Sequence, residues 1–197
     1  MVANNNTTAP LEHHPWPPFI PHGAKLLILG TFPPGEHRWS MDFYYPNRTN
    51  DFWKICGLLF FGNQYALYND SDQRYNKNRI IKFLTDKKIA LHDTARIVRR
   101  LKGNASDKFL EIIEPIPLYE LLEQIPNCHT IATTGEKAAN VIADLTNTKL
   151  PKMGEMINTN DGLNIWRMPS TSRAYPLALE KKAAYYKELF RQADILL

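Results

Sequence analysis

Four short apolar runs, each ending in small polar residues, constrain this chain more than any other feature. They are "KLLILG" opening into "GTFPPG", "KIALHDT", "CHTIATTG" and "LNIWRMPSTS". Between and after them lie helical patterns: "NDFWKICGLLFF", "RIIKFLTDKK", "PLYELLEQIP", "GEKAANVIADL" and "LALEKKAAYYKELFRQADIL". Strands alternating with helices bury both faces of a parallel sheet, so the pattern predicts an α/β fold. We expect a three-layer α/β/α sandwich on a mostly parallel central sheet of about four strands. In such sheets ligands bind outside the carboxyl ends of the strands. The four polar loops therefore converge on one cleft.

The rest of the chain fits one domain of 197 residues, 44% of them hydrophobic, enough for a sizeable core. Residues 1–22 read as a flexible start followed by an irregular Pro-rich arm, and 23–197 as a single domain. The loop from 31 to 50 is long and rich in aromatics and prolines, and loops of that length are usually functional. Asn50 or Asp51 caps the helix that follows. The segment 65–78 reads as a surface excursion and "NASDKFLEII" as a further helix start. No run is apolar enough to span a membrane. The N-terminus lacks the pattern of a secretory signal, and a cytoplasmic location is expected. Cys56 and Cys128 share no CxxC spacing and read as buried, reduced thiols.

The net charge of +4 permits a polyanionic partner without requiring one. Arg96, Arg99, Arg100 and Lys102 cluster on one segment, either as a polyanion contact or as a solvated helix face. "GTFPPG" is neither a Walker A loop nor a dinucleotide fingerprint. His92 and Asp93 end a strand with no third ligand at a telling spacing, so no metal is expected. The aromatic loop places Tyr44 and Tyr45 near Asn47 and Asn50, and rings of this kind suit stacking on a flat base. Phe52 and Trp53 read as core. The hydroxyls of "MPSTSRAY" are ordinary phosphate contacts.

Taken in order, these loops resemble the uracil-DNA glycosylase superfamily from about residue 25 to 190. "LILGTFPPG" stands where the first motif stands, and "YYPNRTNDFW" is similar to the "YYAHPRNQFW" region of the hypoxanthine-DNA glycosylase branch. "IALHDTA" with "GNASDKFLEII", "IATTGEKAANVI" and "MPSTSRAY" resemble that branch's remaining motifs. A single-strand-selective monofunctional uracil glycosylase-like group is a neighbouring fit.

The resemblance implies a monofunctional DNA repair glycosylase that hydrolyses the N-glycosidic bond of a flipped-out deaminated base: uracil, hypoxanthine or xanthine. It needs no cofactor or metal, its partner is DNA carrying such a base, and a monomer is expected. It implies catalytic roles for Asn50 and Asp93. Base contacts fall to Gly30, Thr31, Phe32, Tyr45 and Ser170. DNA contacts fall to Thr134, Lys137, Thr171, Ser172, Arg173 and Tyr175, with Arg173 or Tyr175 as the wedge. Two departures stand out: Phe32 replaces the Asp or Asn of the first motif, and Met168 replaces the His of the second. They motivate an alternative, a non-catalytic nucleic-acid-binding protein on the same fold. A nucleobase- or nucleotide-binding protein is a weaker third reading.

Overall fold

A computed structural model describes residues 9–69, 71–72, 74–101 and 109–196. The central sheet is built on β2 (Leu26–Gly30), β3 (Ile89–Asp93), β6 (Thr130–Thr134) and β8 (Asn164–Met168). The first three are buried at every position, as strands covered on both faces must be. All four run parallel, and β7 (Met156–Asn158) adds an antiparallel edge, giving the order β3-β2-β6-β8-β7. The sheet thus has five strands rather than four. The fifth is only three residues long and returns through a hairpin whose Asp161-Gly162 turn places Gly162 at φ +85. A run that short carries little periodicity.

Helices cover both faces. α1 (Phe52–Phe61), α2 (Lys77–Lys87) and α5 (Leu179–Gln192) pack against Leu26, Ile28, Ile89 and Leu91. α3 (Leu118–Glu123) and α4 (Glu136–Leu145) pack against Leu27, Leu29, Ile131 and Ile165. Successive β2 residues serve opposite cores because strand side chains alternate. Among the described residues no helix is long and apolar enough to cross a membrane. Cys56 and Cys128 are free and buried.

A second sheet departs from the expectation. β1 (Leu11–His13), β4 (Ala95–Arg100) and β5 (Leu110–Pro115) form an antiparallel three-stranded sheet in the order β1-β4-β5. "NASDKFLEII", expected to start a helix, is a strand from Leu110 onward; residues 104–108 lie outside the described residues. The stretch "LEIIEP" has adjacent β-branched residues and pairs with Val98 and its neighbours. That contact outweighs any local helical preference. The arginine cluster therefore sits on a strand, with Lys102 outside the described residues. Arg99 pairs with Glu111 and Arg100 with Glu12, each at 2.9 Å, and Arg96 pairs with Glu114.

The arm is more ordered than its prolines imply, though residues 1–8 lie outside the described residues. After β1 it crosses the open edge of the central sheet, where Phe19 and Leu91 exchange two backbone hydrogen bonds. That contact protects an edge strand that would otherwise present unpaired groups.

Candidate active site

β2 and β3 end side by side, with Gly30 directly opposite Asp93. A side chain at residue 30 would place its Cβ 2.2 Å from Asp93 Oδ1, so only glycine lets that carboxylate oxygen lie across the backbone. Beyond β2, Thr31 is buried and Phe32 packs against Ala95, Val98 and Leu110.

The long aromatic loop returns to this point. Tyr45 adopts φ +50, a left-handed conformation that costs a bulky residue energy. The turn lets its ring stack on Phe52, with centroids 4.1 Å apart, while its hydroxyl shares a 3.1 Å hydrogen bond with Thr134. Asn50 receives the Phe52 amide at 2.9 Å. Of the two capping candidates, the Asn50 side chain makes that bond. Asp51 turns to Lys182, an ammonium 1% exposed that contacts the Asp51 carboxylate at 2.7 Å and the Ser172 carbonyl at 2.9 Å. Lys182 thereby ties α5, the start of α1 and the 170–174 loop together.

After β6, Gly135 takes φ +112 and its site faces Ser170. Ser170 and Ser172 each accept a backbone amide, from Ser172 and Ala174 respectively. Their own O–H groups remain able to donate.

These pieces enclose a cleft of about 550 Å³, within the range of small-molecule sites. Gly30, Thr31, Phe32, Tyr45, Asn50, Asp93, Thr134, Ser170, Thr171, Ser172 and Arg173 all line it. Lys137 and Tyr175 do not. The Lys137 ammonium donates to the Leu110 carbonyl, and the Tyr175 hydroxyl donates to Met153 Sδ at 3.0 Å. Tyr44, which the sequence offered for stacking on a base, is 1% exposed and lies behind the site. Met168 is buried in the core beneath the α5 helix. The lining also includes Asn47 of the aromatic loop, and Arg38 and Thr49, which sequence reasoning passed over. Arg38 ends a short 3-10 turn and is exposed, so it stands at the rim with Arg173.

Burial dominates the electrostatics. It drives the Tyr45 phenol well above its ordinary range, and the Asp93 charge adds to this, so Tyr45 stays a neutral hydroxyl. Tyr44 is raised for the same two reasons. His92 is lowered to about 4, first by burial and then by His14, against an opposing pull from Asp93. Tyr44 donates to the Pro17 carbonyl at 2.9 Å, which only accepts. The 2.8 Å contact between Tyr44 and His92 Nδ1 therefore has the imidazole N–H as donor. Behind Asp93 stands a residue no motif indicated. His14 Nε2 lies 2.9 Å from Asp93 Oδ2. Among the described residues no three His, Cys, Asp or Glu side chains gather as a metal set.

No protein-family model matches the chain. A "Hypoxanthine DNA glycosylase" of Methanosarcina barkeri is 27% identical over 124 residues, 62% of this chain and 71% of the relative. The solution NMR structure of a candidate uracil DNA glycosylase from Methanosarcina acetivorans superposes with a TM-score of 0.65 at 22% identity. The match covers 91% of this chain and 96% of that one. The chain thus has the fold of that solved structure and is similar in sequence to the hypoxanthine glycosylase over part of its length. Its cleft lies at the carboxyl ends of the parallel strands.

Proposed function

We propose that this protein is a DNA glycosylase that hydrolyses the N-glycosidic bond of a deaminated base flipped out of DNA. One observation carries the reading: a base-sized cleft holds a carboxylate, Asp93, across Gly30, with Asn50 and the Tyr45 ring in the same lining. Such an enzyme must extrude its target, because the glycosidic bond is unreachable inside the base stack. Arg38, Arg173 and the hydroxyls of Ser170 and Ser172 would receive the flanking phosphates, with Arg173 as the wedge.

The chemistry follows from the lining. As the C1′–N bond breaks, its electron pair leaves on the base and the sugar becomes cation-like. The ionised Asp93 stabilises that sugar. Asn50 orients a water whose oxygen bonds to C1′. The proton released by that water passes to Asp93 Oδ1 and then to the departing base, leaving an abasic sugar. Phe32 supplies an apolar wall that limits bulk water and strengthens the field of the carboxylate. No lysine lines the cleft among the described residues. This supports hydrolysis without Schiff-base chemistry.

The test is a panel of oligonucleotides, each with one uracil, hypoxanthine or xanthine, incubated with protein, treated with alkali and resolved on a gel. Excision of at least one base is expected. Asp93→Asn and Asn50→Ala should each slow single-turnover excision about a hundredfold to ten-thousandfold, the usual loss for a positioned acid–base group. Binding to the lesion should be retained. Phe32 and the buried Met168, standing where other members carry polar groups, favour a second reading: a DNA-binding protein without activity. That reading gains if the panel stays intact while the protein still binds it.

A further inference from the structure

The N-terminal arm reaches the cleft at one point. His14 and Asp93 lie 79 residues apart in the chain, yet Nε2 and Oδ2 are 2.9 Å apart. Both side chains are almost wholly buried, at 3% and 8% exposure. A carboxylate only accepts when ionised, so Nε2 carries the proton. Asp93 Oδ2 is thus occupied from behind. Oδ1, lying over Gly30, accepts no hydrogen bond from the described residues.

The far side of the imidazole is more telling. Trp16 offers its carbonyl to Nδ1 at 2.8 Å and its amide N–H to the same nitrogen at 3.2 Å. With Nδ1 bare, the ring accepts from the amide. With Nδ1 protonated, it donates to the carbonyl. Trp16 thus holds the far nitrogen of the ring while Asp93 holds the near one, which fixes the imidazole plane.

The groups around it leave Asp93 as its ionic partner. His92 meets it edge-on at 4.8 Å, Phe32 edge-on at 5.5 Å and Tyr44 stacked at 5.7 Å. Arg100 lies beyond the Phe32 ring, its guanidinium held by both oxygens of Glu12.

We propose that His14 is a positioning residue for Asp93: it fixes the carboxylate through Oδ2, leaving Oδ1 over Gly30 at the cleft, so the arm completes the active site. This rests on the glycosylase reading given above. A buried carboxylate needs its hydrogen bonds satisfied, and the imidazole N–H supplies one at Oδ2. The arm is anchored independently of His14, by the Glu12–Arg100 pair, by Trp16 Nε1 donating to Asp42 at 2.6 Å, and by the Phe19–Leu91 bridge. Substitutions at His14 should therefore fold.

The experiment compares single-turnover excision and lesion binding at neutral pH, on whichever base the wild type releases, for His14→Phe, His14→Gln, Asp93→Asn and the double variant His14→Phe/Asp93→Asn. His14→Phe should lose about a hundredfold at neutral pH, the lower end of what a lost acid–base partner costs. The loss should fall on the excision rate, with DNA affinity unchanged. His14→Gln, which keeps an N–H donor, should recover part of the rate. In the Asp93→Asn background His14→Phe should cost nothing further, because both act through one carboxylate. An unchanged rate for His14→Phe, or an equal loss in both backgrounds, overturns the proposal.

Nitrogen NMR of the imidazole gives an independent reading. The Nε2–H signal of His14 should shift on Asp93→Asn, and an unmoved signal refutes the pairing. If the wild type excises nothing while that signal does shift, the glycosylase reading fails and the His14–Asp93 pair stands.

Discussion

At the scale of single residues, the cleft depends on what can sit across β2 and β3. Gly30→Ala brings a Cβ to 2.2 Å from Asp93 Oδ1, well inside contact distance, so the carboxylate must swing away. The cost falls on function rather than on the fold. We expect Gly30→Ala to slow excision as far as Asp93→Asn does, with circular dichroism unchanged. His92 contributes to the pH response of stability. Its folded value near 4 lies below the ordinary value of 6.5. Between those limits the unfolded chain binds a proton that the native state refuses, so stability falls as pH is lowered through this window. The full loss from this group is about 3 kcal/mol. Melting temperature measured from pH 7.5 to 4 should drop, and His92→Asn, which keeps an N–H donor toward Tyr44, should flatten that slope.

Among elements, the decisive contact is the buried ammonium of Lys182. It joins α5 to the first turn of α1 and to the loop carrying Ser172. Removing one partner of a buried ion pair leaves the other charge uncompensated, which costs about 3–5 kcal/mol. Lys182→Met should lose roughly that much in urea denaturation, because Asp51 keeps only the 3.6 Å contact of Lys54. The antiparallel sheet behaves differently. Its arginines face glutamates across the strands, so charge that the composition offered to a polyanion is already partnered within the protein.

For the whole molecule, the proposed glycosylase reading makes charge decide how DNA would be met. The excess of +4 is modest, and two exposed arginines, Arg38 and Arg173, stand at the mouth of the cleft. Phosphate contacts release counterions, so binding to a lesion-containing duplex should weaken steeply with salt. Each lost contact should lower the logarithmic slope by about one. Arg38→Ala and Arg173→Ala should each show that decrease in a salt titration. Arg99→Gln, whose arginine is paired with Glu111, should leave the slope where it was.

The alternation of apolar runs and helical patterns was enough to specify a parallel sheet, its two helical layers and the end at which a cleft opens. Those features arise from local periodicity and the rule that ligands bind at the carboxyl ends of parallel strands. The order of motifs likewise located Gly30, Tyr45, Asn50, Asp93 and Ser170 in loops that meet. What the sequence could not disclose depends on partners distant in the chain. β5 became a strand because β4 lay beside it. Lys182 is buried because Asp51, 131 residues earlier, meets it. His14 stands in a stretch of prolines and histidines with no periodicity of its own. Only the folding of the arm along the edge of β3 brings it to Asp93. A hydrogen bond between such remote residues is a property of the assembled core, where burial of both groups makes the pairing worth keeping.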